Sequence, residues 1–329
     1  MLNAIVYTIL STIKIGIVIG ILLLIIAYLI WVERKVMAHM QIRLGPMRVG
    51  WHGLLQPIAD GLKLIFKEDI IPSQASKVVF VLAPVIATVP ALMSIAVIPF
   101  GDTISIMGLS IDMVITDVNI GILYILAVTS VGVYGIMLGG WSSNNKYSLL
   151  GALRSSAQMI SYELSLGLSL IGVLIITQSL SLVDVVNSQA KCWFVILQPI
   201  AFIIYAISAI AETNRCPFDL PEAETELVAG FHTEYSSMKF ALFFMAEYAN
   251  IITVSAVAVT FFFGGWRGPF LPPVAWFLIK MALCIFFFVW LRSTYPRFRY
   301  DQLMKFGWKV LLPAALANIL ITGLVIVLL

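Results

Sequence analysis

The sequence predicts an all-α membrane protein with eight transmembrane helices. Of its 329 residues, 61% are hydrophobic and only 11% are charged. Soluble domains usually carry about 25% charged residues, so this composition excludes a soluble globular protein. The net charge of +3 is too small to indicate nucleic-acid binding. In a membrane protein the position of the basic residues is more informative than their sum.

Eight apolar segments are long enough for a transmembrane helix, which needs roughly 20 residues. The predicted spans cover about residues 9–32, 78–99, 120–140, 155–178, 192–211, 238–263, 272–291 and 307–328. The first segment is too long for the core of a signal peptide and has no basic region before it, so we expect it to remain as a membrane anchor. Sixteen of the 20 lysines and arginines fall on one side of this arrangement. By the positive-inside rule that side faces the cytoplasm, and both termini face outward.

The first inner loop, residues 33–77, contains a predicted amphipathic helix over His52–Lys67. An apolar stripe and a polar stripe both recur at helical spacing. The apolar stripe is Leu54, Leu55, Ile58, Leu62, Ile65 and Phe66, and the polar stripe is Gln56, Asp60, Lys63 and Lys67. The segment is too short to span the bilayer. It is expected to lie in the membrane interface, with one wall of a cavity opening toward lipid as the alternative.

Residues 211–237 form a polar loop between two spans and hold six of the 17 acidic residues. The six are Glu212, Asp219, Glu222, Glu224, Glu226 and Glu234. Because each negative charge disfavours ionisation of the next, such a loop is expected to hold protons near neutral pH. A solvated charged loop is the alternative. Pro217 and Pro221 predict a rigid turn, after which Glu222 and Glu226 share one face of a helix.

Ionisable residues also occur inside the predicted spans. Glu163 and Glu247 lie several residues from the nearest boundary, where a carboxyl group is costly and usually faces the bundle interior on a functional pathway. A neutral, hydrogen-bonded structural acid is the alternative for both. Asn250 is predicted to neighbour Glu247 on the same helix face. Glu33, beside Arg34 and Lys35 at the inner end of the first span, is interpreted instead as an ordinary interfacial ion pair. Lys280 lies too deep to reach the surface easily.

No metal, haem or nucleotide site is predicted in this chain. The three cysteines are far apart and form no C-x-x-C pair, and the three histidines lie in predicted loops. Neither a P-loop nor a G-x-G-x-x-G motif occurs. If the protein takes part in redox chemistry, the electron carriers are expected in other chains.

Five strings together resemble one family. They are VERKVMAHMQIRLGPMRVG at 32–50, LLQPIADGLKLIFKED at 54–69, AETNRCPFDLPEAETELVAGFHTEYSS at 211–237, FALFFMAEY at 240–248 and YPRFRYDQLM at 295–304. They resemble the H subunit of proton-translocating NADH:quinone oxidoreductase, respiratory complex I. The likeness covers essentially the whole chain, and the acidic-loop string is its most specific part.

The resemblance implies a membrane subunit that forms the quinone access chamber and couples quinone reduction to proton translocation. By motif position, the residues implied in proton coupling are Glu163, Glu212, Asp219, Glu222, Glu224, Glu226, Glu234 and Glu247. Those implied at the quinone chamber are Arg34, Arg43, Asp60 and Phe218. Those implied to face partner subunits are Arg292, Arg297, Arg299 and Asp301. The subunit itself carries no catalytic redox group.

The resemblance also implies partners and a location. The expected substrate is a quinone, with ubiquinone favoured, and the expected partners are the hydrophilic quinone-site and iron–sulphur subunits, the antiporter-like membrane subunits and lipid. The expected location is the inner membrane of a bacterium. The alternatives are a membrane subunit of an energy-converting hydrogenase, a stand-alone secondary transporter or a structural anchor. The ERK, LGP and QPIAD strings favour the quinone enzyme, and no matching pair of broken helices supports a transporter.

Overall fold

The computed structural model describes residues 2–106, 109–111, 113–219 and 228–328. Most of these residues are helical. The helices are α1 (Leu2–Met40), α2 (Gln56–Phe66), α3 (Lys77–Met93), α4 (Gly121–Ser142), α5 (Lys146–Thr177), α6 (Leu182–Ser188), α7 (Phe194–Leu197), α8 (Pro199–Glu212), α9 (Ser237–Phe262), α10 (Pro273–Thr294), α11 (Tyr300–Phe306) and α12 (Leu312–Leu328). A π-helical turn, Gly307–Leu311, joins the last two. Two short antiparallel strands, β1 (Ile104–Ile106) and β2 (Leu109–Ile111), form a hairpin between α3 and α4.

Among the described residues, seven helical segments are long and apolar enough to cross a membrane. They are Ser11–Met40, Lys77–Val97, Gly121–Ser142, Lys146–Thr177, Ser237–Phe262, Pro273–Thr294 and Tyr300–Leu328. These segments coincide with seven of the eight predicted spans. The chain is therefore a helical membrane protein, as the composition predicted.

The remaining predicted span, residues 192–211, is divided into α7 and α8. Gln198 breaks the helix with φ −130° and ψ 56°, and Pro199 begins α8 in the position that proline favours. The Gln198 side chain donates to Thr322 Oγ1 at 2.8 Å and accepts from Asn318 Nδ2 at 3.0 Å. Gly172 on α5 leaves room for these groups, because an added Cβ would lie 2.9 Å from Asn318 Nδ2. A buried polar contact with α12 thus accompanies the break.

The long helices pack into one bundle in which α5 contacts α4, α8 and α12, while α3 contacts α4 and α9. Close approach of α3 and α4 depends on Gly135, where a Cβ would come within 2.6 Å of the Ala87 backbone nitrogen. By contrast, α1 exposes Ile13, Ile17 and Leu24 on its outer side. Exposed apolar side chains in this pattern are typical of a surface that faces lipid.

The amphipathic helix is present but shorter than predicted. Residues 51–53 form a separate 3-10 turn in which His52 has φ 52°, so α2 begins at Gln56 and ends at Phe66. None of its residues is buried, and Ile58, Leu62 and Ile65 each leave half or more of their surface exposed. Its apolar stripe therefore points away from the rest of the chain.

Candidate functional site

Two acidic residues, Glu212 and Glu247, line an internal cavity of the bundle. The cavity has a volume of about 40 Å³ and lies between α4, α5, α9, the end of α8 and the turn at residues 230–232. Its polar lining includes Glu212, Asn214, His232, Glu247 and Asn250. A polar cavity of this size can hold water, which needs roughly 10–15 Å³ per molecule and at least two polar partners. We call it the acidic cavity.

Glu212 is the last residue of α8 and lines the acidic cavity. Gln158, which is fully buried on α5, donates through Nε2 to the carbonyl oxygens of Ala211 at 2.7 Å and Phe218 at 2.8 Å. One amide thus satisfies a terminal carbonyl of α8 and fixes the turn that follows. The Asn214 amide adds a bond to Ser155 Oγ at 3.0 Å.

Glu247 on α9 belongs to a buried charge network that continues beyond the acidic cavity. Its Oε1 lies 2.6 Å from Arg215 Nε, and Arg215 Nη1 lies 3.4 Å from Glu33 Oε1. Glu33 also accepts from Tyr248 Oη at 2.5 Å and contacts the guanidinium of Arg292. A second cavity, of about 10 Å³, lies among Glu33, Arg215, Tyr248 and Arg292. The network therefore connects α1, α9, α10 and the turn after α8.

The aromatic surroundings of His232 keep this residue neutral. His232 is 7% exposed and lies against Phe231, Phe240 and Phe244. Burial lowers the pKa of His232 to about 4, and the negative charge of Asp219 opposes this effect only in part. At neutral pH His232 is therefore an uncharged group on the wall of the acidic cavity.

The sequence matches the family described as NADH dehydrogenase over residues 13–323. The chain belongs to this family. It is 59% identical over 334 residues to one of the H subunits of NADH-quinone oxidoreductase from Geobacter sulfurreducens, an alignment that covers 98% of this chain and 96% of the relative. It is 55% identical over 310 residues to an H subunit of the same enzyme from Syntrophobacter fumaroxidans, covering 94% of each chain. It is also 52% identical over 314 residues to an H subunit from Rhizobium meliloti, covering 95% of this chain and 96% of that one. These findings confirm the resemblance to the H subunit of complex I.

Four acids implied in proton coupling lie near the acidic cavity or the loop beside it. Glu212 and Glu247 line the cavity, whereas Glu163 on α5 accepts a hydrogen bond from Ser130 of α4 and interacts electrostatically with Glu212. Asp219 is buried and lies 3.3 Å from Arg297 Nη2. Glu234 accepts from Asn145 Nδ2 at 2.6 Å, apart from this group. The three acids Glu222, Glu224 and Glu226 lie outside the described residues.

The residues implied at the quinone chamber fall in two separate places. Arg34 of α1 and Asp60 of α2 form an ion pair at 2.7 Å, and Gln56 Nε2 donates to Asp60 at 2.9 Å. Arg43 lies on the exposed loop between these helices and donates to Gln41. Phe218, by contrast, is buried after α8, where it stacks on Phe298 with ring centroids 5.5 Å apart.

The residues implied to face partner subunits differ in how exposed they are. Arg299 and Asp301 form a largely exposed pair at 3.4 Å, consistent with a surface position. Arg297 is half-exposed and holds Asp219. Arg292 instead turns into the bundle, where it contacts Glu33. Glu33 forms ion pairs with Arg215 and Arg292, but it is 4% exposed and these partners come from distant segments rather than from its basic neighbours in the sequence.

Sequence reasoning did not assign roles to Gln158, Arg215 or Tyr248. Arg215 carried a usable signal, because it is the one basic residue in the acidic loop. Tyr248 follows Glu247 directly, but nothing in the sequence links it to Glu33. The contact of Gln158 with the turn after α8 spans more than 50 residues of chain and has no local signature.

Lys280, the one lysine deep inside the predicted spans, is surrounded by backbone carbonyl groups of the turn after α9. Its ammonium group donates to the carbonyl oxygens of Phe263 at 2.7 Å, Gly265 at 3.0 Å and Arg267 at 2.6 Å. It also lies 4.9 Å from the ring centroid of Trp193. Lys280 therefore holds the turn after α9, a role that gives no support to a transporter. Among the described residues, no group of three or more His, Cys, Asp or Glu could hold a metal ion.

Proposed function

We propose that this chain forms the quinone access chamber of an NADH-quinone oxidoreductase and couples quinone reduction to proton translocation through its buried carboxylates. Its relatives are membrane subunits of that enzyme, which makes the chain a subunit of an oxidoreductase complex. The observation that carries the coupling proposal is the acidic cavity, because it places Glu212 and Glu247 around a volume that can hold water.

The chemistry of quinone reduction explains why such a cavity is useful. Converting a quinone to a quinol consumes two electrons and two protons, so negative charge develops near the head group until protons arrive. Coupled carboxyl groups respond to a nearby charge by taking up or releasing protons together. Glu212 and Glu247 can exchange protons through water, and Glu163 extends the series toward α4.

The chamber is proposed to open at α1 and α2. The Arg34–Asp60 ion pair joins these two helices, and the apolar stripe of α2 faces outward. A hydrophobic quinone tail can pass along such a surface while the polar pair meets the head group. We further propose that α2 lies in the membrane interface, that α7 and α8 together make the eighth crossing, and that both termini lie on the periplasmic side.

Neighbouring subunits are proposed to cover the loops around this site. The exposed Arg299–Asp301 pair, together with the half-exposed Arg297, lies beside the turn that carries Phe218 and Asp219. Hydrophilic subunits with iron–sulphur clusters would supply the electrons here. Antiporter-like membrane subunits would translocate protons in response to the charge change in the buried carboxylates. The quinone is proposed to be ubiquinone.

Glu212→Gln in the intact complex tests the coupling proposal. The amide keeps the size of the side chain but cannot carry the charge, so NADH:quinone turnover should fall at least about tenfold, as expected for loss of a proton-transfer group. Electron transfer from NADH to a water-soluble acceptor should remain normal. The matched control is Glu68→Gln, at an exposed acid next to α2. Unchanged quinone turnover in Glu212→Gln would contradict the proposal, and equal loss of both activities would assign Glu212 to assembly instead.

A further inference from the structure

Arg215 lies at the boundary between the two internal cavities. It lines the smaller cavity together with Glu33, Tyr248 and Arg292, whereas its partner Glu247 lines the acidic cavity. The Arg215–Glu247 ion pair, at 2.6 Å, is therefore the direct contact between the two spaces. Any charge that changes on Glu247 acts first on Arg215.

Within the described part of the chain, Glu247 and Glu33 contact Arg215 at different distances. Arg215 Nε is 2.6 Å from Glu247, but Nη1 is 3.4 Å from Glu33. Glu33 has other donors, because Tyr248 Oη lies at 2.5 Å and Arg292 contacts it as well. The bond from Arg215 to Glu33 is thus long and supplementary, and it has room to shorten if the hold of Glu247 weakens.

The surroundings allow the Arg215 side chain to shift while its backbone stays in place. The Arg215 carbonyl accepts from the Phe218 amide at 2.8 Å, and Phe218 is itself fixed by Gln158 and by stacking on Phe298. The guanidinium lies over the ring of Tyr248, 4.6 Å from its centroid. Cation–π attraction acts wherever the cation lies over the ring face within about 6 Å of its centroid, so the guanidinium can shift over Tyr248 and keep this contact.

We propose that Arg215 is a shared counter-ion that moves between Glu247 and Glu33 according to the charge on Glu247. When Glu247 binds a proton, its attraction for Arg215 falls, and the guanidinium moves toward Glu33. Arginine does not lose its own proton in proteins. Arg215 therefore transmits the charge state of the acidic cavity to Glu33 and Arg292 without conducting a proton between the two cavities.

This inference deepens the proposed function by making Arg215 a positioning residue of the same site. It uses the forked guanidinium, whose Nε lies against Glu247 and whose Nη1 lies against Glu33. Lysine at this position would keep the positive charge, but its donors all leave from one nitrogen and cannot reproduce these two separate contacts. Arg215→Lys therefore separates the charge of residue 215 from its ability to be shared.

A structure of the intact complex carrying Glu247→Gln tests the movement itself. The amide is neutral and nearly isosteric, so it mimics the protonated acid. We expect Arg215 Nη1 to approach Glu33 from 3.4 Å to about 2.8 Å, the length of a charge-assisted hydrogen bond. An Arg215 side chain that stays on residue 247 would overturn the inference. This result does not depend on proton pumping, so it is separable from failure of the proposed function.

Proton pumping by the reconstituted complex tests the consequence. In Arg215→Lys we expect NADH:quinone turnover to remain within about threefold of the parent, while the number of protons translocated per electron falls by about half or more. Adding Glu247→Gln to this variant should cause little further loss of proton translocation, because the two residues act as one unit. Arg267→Lys is the matched control, since Arg267 donates to Asn187 beyond the C-terminal end of α9. Normal pumping in Arg215→Lys, or fully additive losses, would overturn the inference. If Arg215→Lys does not assemble, the structure of the Glu247→Gln complex decides.

Discussion

The amide of Gln158 donates to the carbonyl oxygen of Phe218 across 60 residues of sequence, at 2.8 Å in the centre of the bundle. The same amide binds Ala211, so one side chain closes the turn that carries Glu212 and Arg215. The acids and the arginine of the site are thus positioned by a neutral residue that takes no part in charge transfer.

Gln158→Leu should destabilise the turn after α8. The substitution removes the Gln158 donor from the carbonyl oxygens of Phe218 and Ala211, although Ala211 keeps a bond from the Asn214 amide at 3.2 Å. A buried polar group left unsatisfied costs about 1–3 kcal/mol. We expect a lower thermal transition temperature of the purified complex and lower quinone turnover, both measured against the parent. Gln158→Glu keeps the shape but replaces the donor with an acceptor, and it should be at least as harmful. Parent-like stability in both variants would mean that other contacts hold the turn.

Asp60→Ala should raise the apparent KM for quinone. Removing the carboxylate frees the Arg34 side chain and separates α2 from α1 at the point where the chamber is proposed to open. Steady-state kinetics with a short-chain quinone measures the effect, and kcat should change less than KM. Lys63→Ala, on the same helix but outside the ion pair, provides the control. An unchanged KM would remove Asp60 from the chamber.

The stability of the protein should fall as the pH decreases from about 6.5 to about 4, partly because of His232. Folding lowers the pKa of this residue to about 4, so the unfolded chain binds a proton first as the pH falls, and the folded state loses stability through this window. The difference in pKa corresponds to a loss on the order of 3 kcal/mol at the acidic end. His232→Asn should flatten the dependence of the thermal transition on pH. An unchanged slope would show that other groups dominate.

Lys280→Met should impair assembly while leaving the chemistry of the assembled complex nearly normal. The ammonium group satisfies three carbonyl oxygens in the turn after α9, and methionine satisfies none. We expect less assembled complex in the membrane, quantified by immunoblotting of the native complex, with turnover per complex within about twofold, since a purely structural loss acts through abundance. A normal amount of complex with greatly reduced turnover would instead assign Lys280 to the coupling pathway.

The sequence predicted those features of the fold that depend on local patterns. Length and hydropathy located seven of the spans, and helical spacing located α2, although the 3-10 turn at residues 51–53 moved its start to Gln56. The break at Gln198 was missed although Pro199 is a local signal for it, because the residue before a proline is disfavoured in the helical conformation. The buried polar partners of Gln198 had no such signal, since Asn318 and Thr322 are more than 100 residues away.

The candidate site likewise contains residues that the local sequence identifies and residues whose partners are distant in the sequence. Glu163 and Glu247 stand out because carboxyl groups are rare inside spans, and the structure gives each a polar partner. The environment of Glu33 could not be predicted, since its sequence neighbours are basic but its spatial partners, Arg215 and Arg292, come from other helices and loops. Pairing of buried charges is decided by packing, and packing depends on the whole chain.

We propose that the buried carboxyls carry the coupling between quinone reduction and proton movement. The most direct measurement is the number of protons translocated per electron by the complex reconstituted in liposomes, compared between the parent and Glu247→Gln. We predict that the variant still reduces quinone at a measurable rate but translocates fewer than about half as many protons per electron, because an amide cannot bind and release a proton. A full parental ratio in an assembled Glu247→Gln complex would contradict the account.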